Sequence, residues 1–330
     1  MAFNKRRTDL LNLQNQWLMV SRILHNSRSS VLLCRMGIIQ KAGDELRLFL
    51  GIIKSEYIKW LKSDKQLMTA FSMIFLYMYS LEIIKKYSAE MGEPINIFEP
   101  LAIFMSIFYI IPILVLTFAV LMIDFPDISA NSTFMLIRAG RTRWYSGQVT
   151  FVYTAAASFI GIFFIYTAVI TQSNAFVANV WSNAERLING ASYGQFRSQN
   201  PMAYLDLSII NNYTVSAATV YGIVLMVLHF ALSSQLQMVL SLRFNKMIGL
   251  LGNAAMLALG MVTWWADSSA KWLFPLAHAT VVYHYDELFN KVNFPIWGSF
   301  IYLAVANVIL YFVGRYVIKR KMLTLLDNSN

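Results

Sequence analysis

Two stretches of this chain, Leu101–Ile123 and Val149–Thr171, run for 23 residues each without an Asp, Glu, Lys or Arg. A bilayer's hydrocarbon core is about 30 Å thick, and a helix crosses it with roughly 20 apolar residues at about 1.5 Å each. Each stretch is therefore long enough to span, and in water a helix apolar all round would have most of its surface wrongly solvated. Four more stretches reach the same length. Gln66–Ile84 carries Glu82 as its one charge, Tyr213–Leu232 carries His229, Met247–Ala266 is rich in Gly and Ala, and Phe294–Val313 has Pro295 at its entry. Within Leu101–Ile123, Pro112 predicts a kink, because proline lacks the N–H of a helix interior. Composition agrees: 57% of the residues are hydrophobic and 13% charged, with a mean hydropathy of +0.52. Soluble domains carry about 25% charged residues. A soluble globule and a disordered chain are both excluded, and the chain reads as an all-α integral membrane protein with six transmembrane helices.

Lys and Arg mark the cytoplasmic side of a membrane protein. With both termini inside, 21 of the 27 basic residues fall in cytoplasmic parts, 12 of them before the first span. The outer parts keep Lys85, Lys86, Arg186, Arg197, Lys271 and Lys291, together with nine acidic residues between Glu82 and Glu287. The net charge of +10 is thus a topology signal and implies no nucleic-acid partner. The single cysteine, Cys34, rules out a disulfide within the chain. Met1–Arg7 is basic, but Asp9, Asn12, Gln14 and Asn15 break up the apolar residues next to it, so no cleaved leader is expected.

The chain divides into a cytoplasmic extension (1–43), an amphipathic helix (44–65), the spans (66–321) and a cytoplasmic tail (322–330). Leu46, Leu50, Ile53, Tyr57 and Leu61 recur at helical spacing among Arg47, Lys54, Lys59 and Lys62. A basic amphipathic helix just before a span is expected to lie in the inner interface. Leu10, Leu13, Trp17, Val20 and Leu24 outline a second such helix. Two outer segments, 172–212 and 267–293, exceed ordinary loops, and either one could re-enter the membrane or lie upon it.

Sites are sparse. The chain has no G-x-x-x-x-G-K-[ST] phosphate loop, no H-E-x-x-H and no G-x-S-x-G. Glu82 and His229 are the ionisable groups within the spans, each placed near a span end. His278, His284, Asp286 and Glu287 match no metal-ligand spacing and read as a solvated loop. Gly249, Gly252, Ala255 and Ala258 give the fifth span a small-residue face for a close seam, within the chain or between subunits.

The inner loop Asp124–Gln148 reads DFPDISANSTFMLIRAGRTRWYSGQ. Asn131, Ser132 or Thr133 can cap a short helix through Leu136 and Ile137, and Gly140 can end it. Arg138, Arg141 and Arg143 come next, with Trp144 and Tyr145 suited to the interface. A short helix showing apolar and cationic groups to the cytoplasm is a docking surface for a soluble partner. The string Leu136–Gln148, preceded by Asp124-Phe-Pro-Asp and followed by an uncharged span, resembles the permease subunits of type-2 ATP-binding-cassette exporters of Gram-positive bacteria.

That resemblance, covering Asp44 to Lys321, implies a multi-pass protein of the bacterial plasma membrane. It implies a separate ATPase subunit carrying ATP and Mg, with no cofactor or metal on this chain and no catalysis by it. A second permease subunit, identical or homologous, would complete the pathway. Residues from Asn131 to Arg143 would form the coupling helix, and Pro112, Glu82, His229, Gly249 and Gly252 would belong to the pathway or its packing. A membrane sensor or assembly factor without transport is the competing class, and an intramembrane enzyme a third.

Overall fold

The computed structural model describes residues 43, 45–127, 130–188, 198–286 and 291–327. The second amphipathic helix expected before residue 43, Cys34, Arg197 and Glu287 lie outside them. The chain separates into two compact units at Gly51 and Ile52. In the first, residues 43 and 45–51 are helical. The remainder of the fold belongs to the second.

Among the described residues, five helices are long and apolar enough to cross a membrane. They are α2 (Gln66–Met91), α6 (Arg141–Thr171), α9 (Val215–Arg243), α10 (Lys246–Trp265) and α12 (Ile296–Asp327). The predicted second span is not one helix. It is split into α3 (Glu99–Phe104) and α4 (Ile110–Leu121), separated by Met105–Tyr109. Pro112 accounts for the break. Inside a continuous helix its ring would collide with the carbonyl of residue 108, so it stands instead in the first turn of α4, where a missing N–H costs little. The other elements are α1 (52–61), α5 (Ala130–Ala139), α7 (Asn183–Ile188), α8 (Leu207–Asn212) and α11 (Pro275–His278). Two short strands, β1 (Ile95–Asn96) and β2 (Ala175–Phe176), pair in parallel, a small exception to an all-helical chain.

α1 buries Ile52, Glu56 and Trp60, one residue off the face read from the sequence, while Ile58 and Leu61 stay exposed. The Tyr57 hydroxyl reaches Ser158 at 2.7 Å. Glu56 explains the offset: it pairs with Lys59, which in turn reaches Asp127, and so turns a polar position inward.

α9 is the centre of the bundle, packed against α12, α10, α6 and α4. Phe118, Phe159 and Phe230 interlock where α4, α6 and α9 meet, with ring centroids 4.9–5.5 Å apart. Toward the C-terminal end of α9 lies a buried polar belt. Gln235 donates to Asn307 at 2.6 Å, Gln237 to the Ala119 carbonyl at 3.0 Å, and Asn253 to Gln237 at 3.2 Å. Apolar surface alone does not drive helices together in lipid, so such bonds and close packing hold α4, α9, α10 and α12 in register. Between α9 and α10 the turn is only Phe244–Asn245, with Asn245 capping α10 through the Ile248 N–H at 2.9 Å. A Cβ on Gly249 would lie 2.6 Å from the Gln237 carbonyl, and one on Gly252 would strike the Leu240 side chain. The two glycines of the small-residue face are therefore used within the chain, while Ala255 and Ala258 are exposed.

Candidate functional site

The end of the bundle that carries α5 gathers most of the residues singled out from the loop sequence. α5 spans Ala130–Ala139, so Asn131 lies inside its first turn and is not its cap; its side chain falls outside the described residues. The helix is anchored by Leu136 and Ala139, both buried in a cluster with Trp144, Tyr145, Met238, Leu242 and Ile318. Ile137, 73% exposed, and Arg138 project away from it. Gly140 ends the helix at φ 80°, a positive-φ conformation that a side chain would strain, and α6 starts with the next residue.

Trp144 and Tyr145 depart from the sequence reading. They do not face the interface but are 1% and 0% exposed, packed beneath the corner. Tyr145 fills the space that Gly314 of α12 leaves by having no Cβ, and its ring lies 5.8 Å from that of Tyr311. Ser146 and Tyr311 share a hydrogen bond of 2.8 Å. The corner is thus fixed to the last helix, and Arg141 donates to the Lys319 carbonyl at 3.1 Å.

A cleft of about 780 Å³ opens here, lined by Ala139 to Arg143, Ser146 and Lys319. Lys319 has no signal in the loop sequence, because it arrives from nearly 180 residues away on α12. Asp124 is paired with Lys65 and with Lys246 at 3.1 Å, and Asp127 with Lys59 at 3.3 Å. Arg141, Arg143 and Lys319 line the cleft, and Arg138 stands next to the exposed Ile137.

The remaining sequence candidates do not converge. Glu82 is exposed on α2, just past a π-helical turn at Tyr77–Leu81. Pro112 is buried in α4. His229 is not near a helix end; it is 1% exposed at the middle of α9, against the backbone of Pro275. Gly249 and Gly252 serve the α9–α10 contact.

Residues missed in the sequence cluster at the opposite end. The segment after α10 folds down onto α9, α10 and α12, burying Leu276, Ala277, His278 and Ala279. His278 and His284 are both 0% exposed, so the solvated-loop reading does not hold for them. Ser299 of α12 joins the two imidazoles, at 2.7 Å from His278 Nδ1 and 2.8 Å from His284 Nε2. Their other nitrogens face the carbonyls of Trp272 at 2.8 Å and Val281 at 3.3 Å. Two neutral imidazoles and one hydroxyl supply three protons for four contacts. The deficit falls on the longest: His278 donates to Trp272, Ser299 to His278, and His284 to Ser299. Burial lowers the pKa of both, that of His284 to about 4, so each is neutral at pH 7. Among the described residues, no group of three His, Cys, Asp or Glu is placed to hold a metal.

Glu99, which precedes the uncharged run beginning at Leu101, is equally buried, at 0% exposure. It accepts N–H groups from Asn96 at 3.1 Å and Ser182 at 2.5 Å, tying the β1 loop to the segment after α6. Burial raises its pKa to about 7, against the lowering effect of those bonds and of Arg186. Between pH 4.5 and 7 this carboxyl binds more protons folded than unfolded, so its contribution to stability is present below pH 4.5 and is lost as pH rises through 7. His284 acts oppositely, binding fewer protons folded than unfolded between pH 4 and 6.5. Removing the acid by Glu99→Gln should therefore leave the histidine slope alone. The variant's denaturation midpoint in detergent should climb more steeply from pH 4.5 to 7 than that of the unsubstituted protein.

The chain matches no protein-family model, and neither a curated protein nor a solved structure is significantly similar to it.

Proposed function

We propose that this chain is the transmembrane subunit of an ATP-binding-cassette exporter in a bacterial plasma membrane. Its five long helices are joined by α3–α4 as a sixth, interrupted crossing, and both termini lie in the cytoplasm. α1 lies in the inner interface with Ile58 and Leu61 toward lipid. A separate ATPase subunit carries ATP and Mg, and a second permease subunit completes the pathway.

The observation that carries this reading is the inner corner. α5 is rooted in the bundle by Leu136 and Ala139, offers Ile137 and Arg138 outward, and turns at Gly140 directly into the 31-residue α6. A push on α5 has no slack to absorb it. It passes to α6 through Gly140 and to α12 through Tyr145, Tyr311 and the Arg141–Lys319 bond, which is the rigid coupling that switching between two arrangements requires. The basic-residue asymmetry supports a cytoplasmic position for that corner, where an ATPase would be.

The test is co-purification. The tagged chain, extracted gently from its native membrane, is expected to bring down a polypeptide that binds ATP. Recovery of the chain with no ATP-binding partner, under conditions that preserve its fold, would leave the sensor or assembly-factor reading in its place.

A further inference from the structure

The cleft beside the α5–α6 corner, at about 780 Å³, falls within the ~300–1,000 Å³ usual for ligand sites. Its described lining combines Arg141 and Lys319 with the hydroxyl residues Thr142 and Ser146, and contains no Asp or Glu. Arg143 lines it too but is already engaged.

Two contacts hold α12 against the start of α6: Ser146 with the Tyr311 hydroxyl at 2.8 Å, and Arg141 with the Lys319 carbonyl at 3.1 Å. Tyr311, Arg315 and Lys319 follow one another at intervals of four and share one face of α12. Arg315 therefore stands between the two contacts, about 6 Å along the helix axis from Lys319. Its Nε is buried and has no hydrogen-bond partner among the described residues. The Arg141 guanidinium bonds only to a neutral carbonyl among them. None of the described carboxylates is paired with Arg141, Arg315 or Lys319. A buried donor without an acceptor is costly, and a ligand that brings an acceptor removes the cost. α6 adds to the field, because it begins at Arg141 with no acidic residue in its first turn and no side-chain cap. Three cations and an uncapped helix start thus meet at one cleft, which suits an anion.

Position selects the anion. The apolar span of α12 ends at Arg320, so Arg315 and Lys319 stand at the level of lipid phosphates. On the same helix Val305, Ile309, Phe312 and Tyr316 are exposed, an apolar track along which acyl chains can lie. A free phosphate makes no use of that track, and a phospholipid uses both parts. We propose that the cleft binds one anionic phospholipid, with its phosphate held by Arg141, Arg315 and Lys319 and its chains along α12. The site does not depend on an ATPase, since the outward Ile137 and Arg138 of α5 take no part in it.

The full chain, freed of lipid in maltoside micelles, is titrated with phosphatidylglycerol and followed by native mass spectrometry. Saturable binding of one lipid is expected, with zwitterionic phosphatidylcholine about tenfold weaker or more. Lys319→Gln should weaken phosphatidylglycerol binding about fivefold, as the loss of one cation beside a lipid phosphate predicts. Lys319 is exposed, so this variant is expected to fold. The double variant Arg315→Gln, Lys319→Gln should weaken binding about tenfold or more. Arg320→Gln removes the same charge one position away, where the guanidinium lies 4.6 Å from the Tyr316 ring centroid and outside the cleft, and should leave the affinity unchanged. Glycerol phosphate, which has the phosphate without the chains, should not compete. The proposal is overturned if folded protein holds phosphatidylcholine as tightly as phosphatidylglycerol, or if Lys319→Gln and Arg320→Gln weaken binding equally. It is also overturned if glycerol phosphate displaces the lipid, which would make the ligand a free phosphate ester.

Discussion

The triple variant Arg138→Glu, Arg141→Glu, Arg143→Glu is expected to insert and fold, yet to lose its ATPase. The three changes swing the charge of the corner by six units. Juxtaposing like charges at an interface costs several kcal/mol, so association should fall by about a hundredfold or more. Arg138 is exposed and Arg141 gives the fold one bond, to the Lys319 carbonyl. Arg141 and Arg143 are both half-buried, so the single variant Arg138→Glu separates docking from packing. It should weaken the same association while eluting from gel filtration as the parent does. Undiminished recovery of the ATPase with both variants would remove the corner from the docking surface.

Ser299→Ala has the largest effect expected on stability. The hydroxyl sits between two imidazoles at 2.7 and 2.8 Å, with all three side chains fully buried. Alanine leaves His278 Nδ1 and His284 Nε2 without this partner in a place water does not reach. At about 1–3 kcal/mol for each buried polar atom left unsatisfied, the loss over two atoms is roughly 2–6 kcal/mol. Ser299→Thr retains the hydroxyl and adds a methyl group to a packed site, so it should recover part of that loss. Thermal denaturation in detergent, followed by tryptophan fluorescence, measures both. A midpoint for Ser299→Ala equal to the parent's would mean that the hydroxyl bridge contributes nothing.

Length and charge made five of the crossings legible, because an apolar run of about 20 or more residues has few other stable homes. The run Leu101–Ile123 satisfied the same criterion and still broke, since hydropathy records how apolar a segment is and not whether one proline interrupts its hydrogen bonds. Pro112 was seen but its consequence was placed too late: the helix stops before it and restarts around it. The α5 helix, its end at Gly140 and its outward Ile137 and Arg138 followed from local spacing, which a sequence displays directly. Trp144 and Tyr145 did not. The burial of Tyr145 depends on Gly314, about 170 residues away, and a single sequence gives no sign of which distant glycine makes room for a ring. His278, Ser299 and His284 failed to show for the same reason. Polar residues in an outer segment look solvated until the segment is seen folded into the bundle, where Ser299 meets them from α12. The amphipathic face of α1 was displaced by one position because Glu56 found partners and became buried, against the expectation for a charged residue.

The most direct measurement concerns which side of the membrane the basic corner occupies. Thr142 lines the cleft between Arg141 and Arg143, so a Thr142→Cys variant made in a Cys34→Ser background places a single thiol there. A membrane-impermeant maleimide should leave it unmodified in intact cells and modify it in inverted vesicles. Modification from outside intact cells would put the corner beyond the reach of any cytoplasmic ATPase and contradict the account.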